Sequence, residues 1–177
     1  MELIEILDEY SKGRRDFSGI NLSEASLVGA NLSGIILDEA DLNGANLSYA
    51  NLSNARLHHA DLNGADLTNA NLRGADLQDA ILDGAILHGA VLDNTNLSHS
   101  EMALADITEA SLNEADLSQA DLRAANLEHA DLSGANLSIA DLSQANLQAA
   151  ELNQANLSGT NLEKANTEGT ILDEGSP

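Results

Sequence analysis

A register of five governs this chain. Leu32, Leu37, Leu42, Leu47, Leu52 and Leu57 stand five residues apart, and the same spacing runs back to Phe17 and forward to Leu172. Of its 32 positions 28 are Leu, and the exceptions are Phe17, Met102, Ile107 and Thr167. Two residues before each lies a second register, Ala at 25 of 32 positions. It is broken at Arg15, Ile20, Ile35, Thr95, Ser100, Thr160 and Thr170. The residue between the two is usually Asp or Asn, as in Ala60-Asp61-Leu62 and Ala70-Asn71-Leu72, and no insertion disturbs the frame.

Five suits neither ordinary structure. On an α-helix five residues turn ~500°, so successive leucines drift ~140° and no apolar stripe forms. On a flat strand an odd spacing sends alternate leucines to opposite faces. The backbone must therefore bend once per unit, always in the same sense, so that every Leu reaches one axis. Ala and Leu, two apart on extended chain, then share the inner side. A single unit cannot bury that side alone, so the units stack into a solenoid.

The turn residues agree. The residue two after the central Leu is Gly in eleven units, among them Gly19, Gly44, Gly84 and Gly134, and Asn54, Asn69 and Asn94 use the same slot. A type II turn needs positive φ there, which Gly and Asn tolerate best. Eight of the eleven glycines precede residue 90, which predicts regular type II turns in the first half and looser ones in the second. Periodicity alone leaves three sides and four sides per coil both open.

The tandem Ala-(Asp/Asn)-Leu-X-X unit over residues 15–174 resembles the pentapeptide-repeat proteins. The resemblance implies a right-handed, four-sided parallel β-helix. Its 32 repeats would make about eight coils, and at ~4.8 Å per coil a rod roughly 38 Å long. It also implies a bacterial, cyanobacterial-type protein of the cytoplasm. The chain reads as one solenoid domain with an N-terminal capping helix, residues 1–14, and a short tail, residues 175–177. Leu3, Ile6, Leu7 and Tyr10 form the helical stripe of that cap, with Glu2 and Glu5 early, Lys12 late and Gly13 at the close. The opposite end lacks a cap, and Thr160, Thr167 and Thr170 enter inward positions there. The expectation is a monomer, or an end-to-end homodimer through the uncapped C-terminal coil.

Outside the core the composition excludes much. A formal charge of -22 and no cysteine leave no disulfide framework, no thiolate metal site and no thiol nucleophile. Direct binding to nucleic acid or an anionic membrane needs Lys and Arg, of which there are seven against 29 acids. No apolar run approaches the ~20 residues of a membrane span, and the chain does not open on a basic-then-apolar secretion signal. The 43% apolar content argues against disorder. Under four units per coil His59 and His99 share a column about 10 Å apart, too far for one metal ion. No serine joins a His and an acid in a pocket. No enzyme activity, metal or cofactor is expected.

Two outward features are candidate partner-binding surfaces. One four-unit column carries Asn21, Asp41, Asp61, Ile81, Glu101, Asp121, Asp141 and Asn161. Its neighbouring carboxylates would lie ~5 Å apart and are expected to titrate above ordinary Asp values, a landing strip for a basic partner. The second is an apolar band in which Ile81, Ile86 and Val91 replace Asp or Asn in three consecutive units. In the next coil Met102 replaces Leu, and Ala103 and Leu104 take outward slots. The reading is a non-catalytic scaffold for protein–protein contact. The alternative is a DNA-mimicking modulator of a topoisomerase or other DNA-binding protein, as some members of the family are thought to be for DNA gyrase. Residues 15–174 carry 25 acids against five basic residues. Over the rod this is about one charge per 1.9 Å, against ~1.7 Å for duplex DNA.

Overall fold

The computed structural model describes residues 3–172. Met1, Glu2 and residues 173–177, which include the expected tail, lie outside the described residues. Among the described residues 27 parallel bridges form, and each joins residue i to residue i+20, from Asp16–Ile36 to Asn146–Asn166. Three units per turn would pair i with i+15. Four five-residue units therefore complete each coil, and the cross-section is square. Side 1 holds the units beginning at 15, 35, 55 and so on, side 2 those at 20 and 40, side 3 those at 25 and 45, and side 4 those at 30 and 50.

In an interior unit that carries Asp or Asn between the two registers, every amide has an acceptor, as buried backbone requires. In residues 115–119, Ala115 N–H donates to the Leu112 carbonyl across the corner (3.1 Å). Asp116 donates down to Thr95 (2.9 Å), while Leu117 and Gln119 donate up to Asn136 and Ser138 (2.7 and 2.9 Å). The fifth amide, Ser118 N–H, is taken by the side chain of Asp116 (3.0 Å). This Asx turn recurs along the rod, for example at Asn21, Asp61, Asn96 and Asn156. The Asp/Asn between Ala and Leu is thus first a backbone clamp. It remains half-exposed and points outward, but one of its oxygens is spent.

All corners turn alike. The 31 corner positions from Gly19 to Gly169 have positive φ, between 54° and 75°, and twenty of them are not glycine. The expected change to looser turns in the second half does not occur. A square that closes every 20 residues demands the same bend at each corner, and the inter-coil ladder imposes it on Gln119, Ala124 or Ile139 as on Gly84. Left-handed backbone costs a non-glycine residue roughly 1–2 kcal/mol, and Ile139 is β-branched, the least tolerant kind.

Inside, the leucine register from Leu37 to Leu147 is 0% exposed throughout, Met102 and Ile107 included. Within that stretch two polar residues intrude on the alanine register. Thr95 donates its hydroxyl to the Leu72 carbonyl (2.8 Å) and Ser100 to the Leu97 carbonyl (2.7 Å), so neither is left unpaired.

The ladder gives the rod a polarity. Each unit sends two N–H groups toward the next coil and one toward the previous coil. The N-terminal edge is consequently rich in carbonyls and the C-terminal edge in N–H donors. Helix α1, Leu3–Ser11, lies at the first edge and buries Ile6 in the core. It also answers carbonyls with donors, the Tyr10 hydroxyl on the Ser33 carbonyl (2.7 Å). Just beyond the helix, Arg14 Nε donates to the Asp16 carbonyl (2.9 Å), and the Arg15 guanidinium stacks 4.1 Å from the centre of the Tyr10 ring. At the other end Leu157, Leu162 and Ala165 are only half-buried. Among the described residues, the amides of Leu157, Gly159, Leu162 and Lys164 find no backbone acceptor.

Candidate functional site

The acidic column runs along side 2, and the bridges place Asp41 beneath Asp61, Ile81 between Asp61 and Glu101, and Asp121 between Glu101 and Asp141. Asp41, Asp61, Asp121 and Asp141 each hold an Asx turn through Oδ1, at 3.1, 2.9, 3.1 and 2.9 Å. Their carboxylates are therefore fixed in line and cannot splay. Amides relieve the column near both ends: Asn21 donates to Asp41 (2.8 Å) and Asn161 to Asp141 (3.0 Å). Glu101 stands exposed between coils.

The expected upward titration fails at Asp121. The Arg123 guanidinium donates to both of its oxygens (2.8 and 2.6 Å), and this holds the carboxyl below its ordinary 3.8 in spite of partial burial. Asp93 and Asp131 on side 4 also lie low. Burial pushes each up, but hydrogen bonds outweigh it, from Ser111 and Arg73 on Asp93 and from Ser133 and Asn113 on Asp131. Arg73 and Asn113 reach their carboxylates from a neighbouring coil and are visible only when the columns are known, whereas Arg123 stands two residues after Asp121 in the same unit.

The apolar band separates into two parts. Val91 falls on side 4, between Asn71 and Ser111, across the tube from Ile81. Met102 is inside. Leu104, however, sits at the corner between sides 2 and 3, one coil above Gly84. Ile81 lies three residues before Gly84 on side 2, and Ile86 two residues after it on side 3. Leu104 is 71% exposed and Ile86 40%, while Ile81 is half-buried. Where Ile81 displaces the Asx residue and Glu101 stands in that slot one coil on, Asp83 repairs the backbone by accepting Ala103 N–H (2.8 Å).

The histidines stay apart from any metal geometry. His88 Nδ1 pairs with Thr108 Oγ1 (2.8 Å) and His99 Nε2 lies 3.4 Å from the Gln119 amide. His58 Nε2 is enclosed and 2.6 Å from Asp76 Oδ2, an ion-pair contact without hydrogen-bond alignment. Among the described residues no group of three His, Asp or Glu side chains could hold a metal ion. A shallow groove of about 260 Å³ runs beside Asn113, Glu114, Ser133, Gly134, Asn153 and Gln154, smaller than ordinary ligand pockets. No described helix is long and apolar enough to cross a membrane.

The family model for pentapeptide repeats matches this chain in eight copies, spanning residues 16–138 and 140–174. The chain belongs to the pentapeptide-repeat family. Its coil is accordingly the right-handed quadrilateral β-helix of that family. The chain is similar to HetL, a pentapeptide-repeat protein involved in heterocyst differentiation regulation from the cyanobacterium Nostoc sp. strain PCC 7120. The two share 35% identity with a TM-score of 0.72, over 99% of each chain. QnrB1, a plasmid-mediated fluoroquinolone resistance protein, shares the fold with a TM-score of 0.70. Its identity is 22%, over 85% of this chain and 82% of its own. No curated protein matches the chain. The pentapeptide repeat thus supplies a scaffold.

Proposed function

We propose that this pentapeptide-repeat protein is a non-catalytic scaffold that binds a protein partner through side 2 and its corner with side 3. The observation that carries the reading is the unbroken i to i+20 register. It fixes side chains on a rigid grid, so that little ordering entropy is lost on binding. On that grid Asp41, Asp61, Glu101, Asp121 and Asp141 form a negative row, and Ile81, Ile86 and Leu104 interrupt it with apolar surface. HetL's involvement in regulating differentiation supports a regulatory setting for such a scaffold. No cofactor enters the proposal, nor does direct contact with nucleic acid or membrane.

The working unit is a monomer. Two C-terminal coils brought end to end would oppose N–H donors with N–H donors, and the complementary carbonyl-rich edge is occupied by α1. The DNA-mimicking reading draws on the rows of fixed carboxylates, whose spacing of ~4.8 Å is set by the coils.

The test is capture from the source organism's lysate at low and high salt. The baits are the wild type, an Asp41→Asn/Asp61→Asn/Glu101→Gln/Asp141→Asn variant that keeps each Asx acceptor, and an Ile81→Asp/Ile86→Asp/Leu104→Ser variant. One partner that survives high salt and is lost with the apolar variant is the expected result. Capture only of DNA-binding proteins, only at low salt, and inhibition of a topoisomerase would favour mimicry instead. Identical capture by all three baits would overturn the assignment to these surfaces.

A further inference from the structure

We infer that the Leu104 corner docks a cationic amphipathic helix of the partner, an inference that rests on the scaffold reading above and names the chemistry of what it binds. Leu104 combines two unfavourable features, 71% exposure of an apolar side chain and a left-handed backbone, φ 61°, that glycine would adopt without strain. Ile139 and Tyr49 share both features, but Leu104 stands over a corner that Ile81 and Ile86 flank, and it is this clustering of apolar side chains that points to a use outside the fold. Gly84 below and Ala124 above leave the side chain unshielded.

The corner is apolar at its centre and acidic at its rim. Ile81 is bridged to Asp61 below and Glu101 above, and Ile86 to Asp66 below and Asp106 above. The nearest cation, Arg123, is committed to Asp121. Complementarity calls for a partner with an apolar stripe flanked by Lys or Arg. From Ile81 to the corner is three residues, ~10 Å of extended chain, about the width of one α-helix with its side chains. A helix carrying leucines at i, i+3, i+4 and i+7 and lysines beside them meets both requirements.

The test uses the whole protein and a labelled peptide of about 18 residues made of Leu and Lys with that spacing, beside a control in which every Leu is Asn. The wild type is expected to bind the Leu/Lys peptide about tenfold more tightly than the control at high salt, the value of one buried leucine. Leu104→Gly is expected to abolish that preference while raising the melting temperature, and Leu104→Asn to abolish it with little change in melting. Binding of the Leu/Lys peptide to Leu104→Gly as tight as to the wild type would overturn the inference. If affinity then falls only in the Asp41/Asp61/Glu101/Asp141 variant, the corner is excluded and the scaffold reading stands on its acidic row. If neither variant matters, both fail.

Discussion

Leu117→Ala is expected to lower the unfolding free energy by about 4 kcal/mol, read as a shift in the urea midpoint at unchanged slope. Leu117 is fully buried in the middle of the rod, and its side chain packs among inward leucines and alanines of its own coil and the coils on either side. The ladder fixes the coils one above the other, so the walls cannot close on the space left by the lost methyl groups. This places the cost toward the upper part of the range for a leucine truncation, transfer and cavity terms together. Leu162→Ala, at the half-buried C-terminal coil, is expected to cost only about 1 kcal/mol, in proportion to the smaller area removed from water. Stability in a solenoid is a sum over units and their neighbours, so the contrast between the two positions is the informative quantity. Equal losses at both would mean that the C-terminal end is as well covered as the centre.

Ile139→Gly is expected to stabilise the protein by about 1–2 kcal/mol, although it removes an apolar side chain. Ile139 is 65% exposed and held at φ 62° by its corner. Its branched side chain therefore contributes little burial and carries the full strain of a left-handed residue. The reverse exchange, Gly84→Ile, is expected to destabilise by a similar amount. A Cβ on Gly84 would meet nothing within 4 Å, so Gly84→Ala beside it isolates backbone strain from crowding. Thermal or urea unfolding of these variants measures both signs. Loss of stability in Ile139→Gly would show that side-chain contacts, not the corner backbone, dominate at that position.

These two results probe different depths of what the sequence reveals. The leucine and alanine registers were legible because burial is imposed at every unit and writes itself at every unit. The sidedness was not legible from the residues, since a bend every five residues closes equally well on three or four sides. The resemblance supplied four and the Asp16–Ile36 type of bridge decides it. Glycine frequency misled about the turns, because it reports local preference, whereas corner geometry is set by the stacked coils. Asp61 and its equivalents read as free surface charge, yet their position two before an amide with no ladder partner made them Asx acceptors. That signal was present in the Asp/Asn restriction itself, since solubility alone would have admitted Glu just as often. The candidate site was legible in part. Ile81, Ile86 and Leu104 gather at one corner, but Val91 does not, because consecutive units face in different directions. The clamp of Arg123 on Asp121, two residues apart in one unit, was within reach of the sequence, but that of Arg73 on Asp93 needed the stacked coils to be seen.

Everything about the surface depends on residue i standing over residue i+20. The chain has no cysteine of its own, so paired cysteines test this directly. Ser118 and Ser138 occupy one outward column on side 1, while Ser118 and Ser133 would be stacked only in a three-sided coil. Adjacent coils at ~4.8 Å are within disulfide reach, and Cα atoms more than ~7 Å apart are not. Mild oxidation followed by mass spectrometry is predicted to link Ser118→Cys to Ser138→Cys within the monomer and to leave the Ser118→Cys/Ser133→Cys pair as free thiols. The opposite pattern would contradict the square coil and, with it, the row and the corner on which the proposed binding rests.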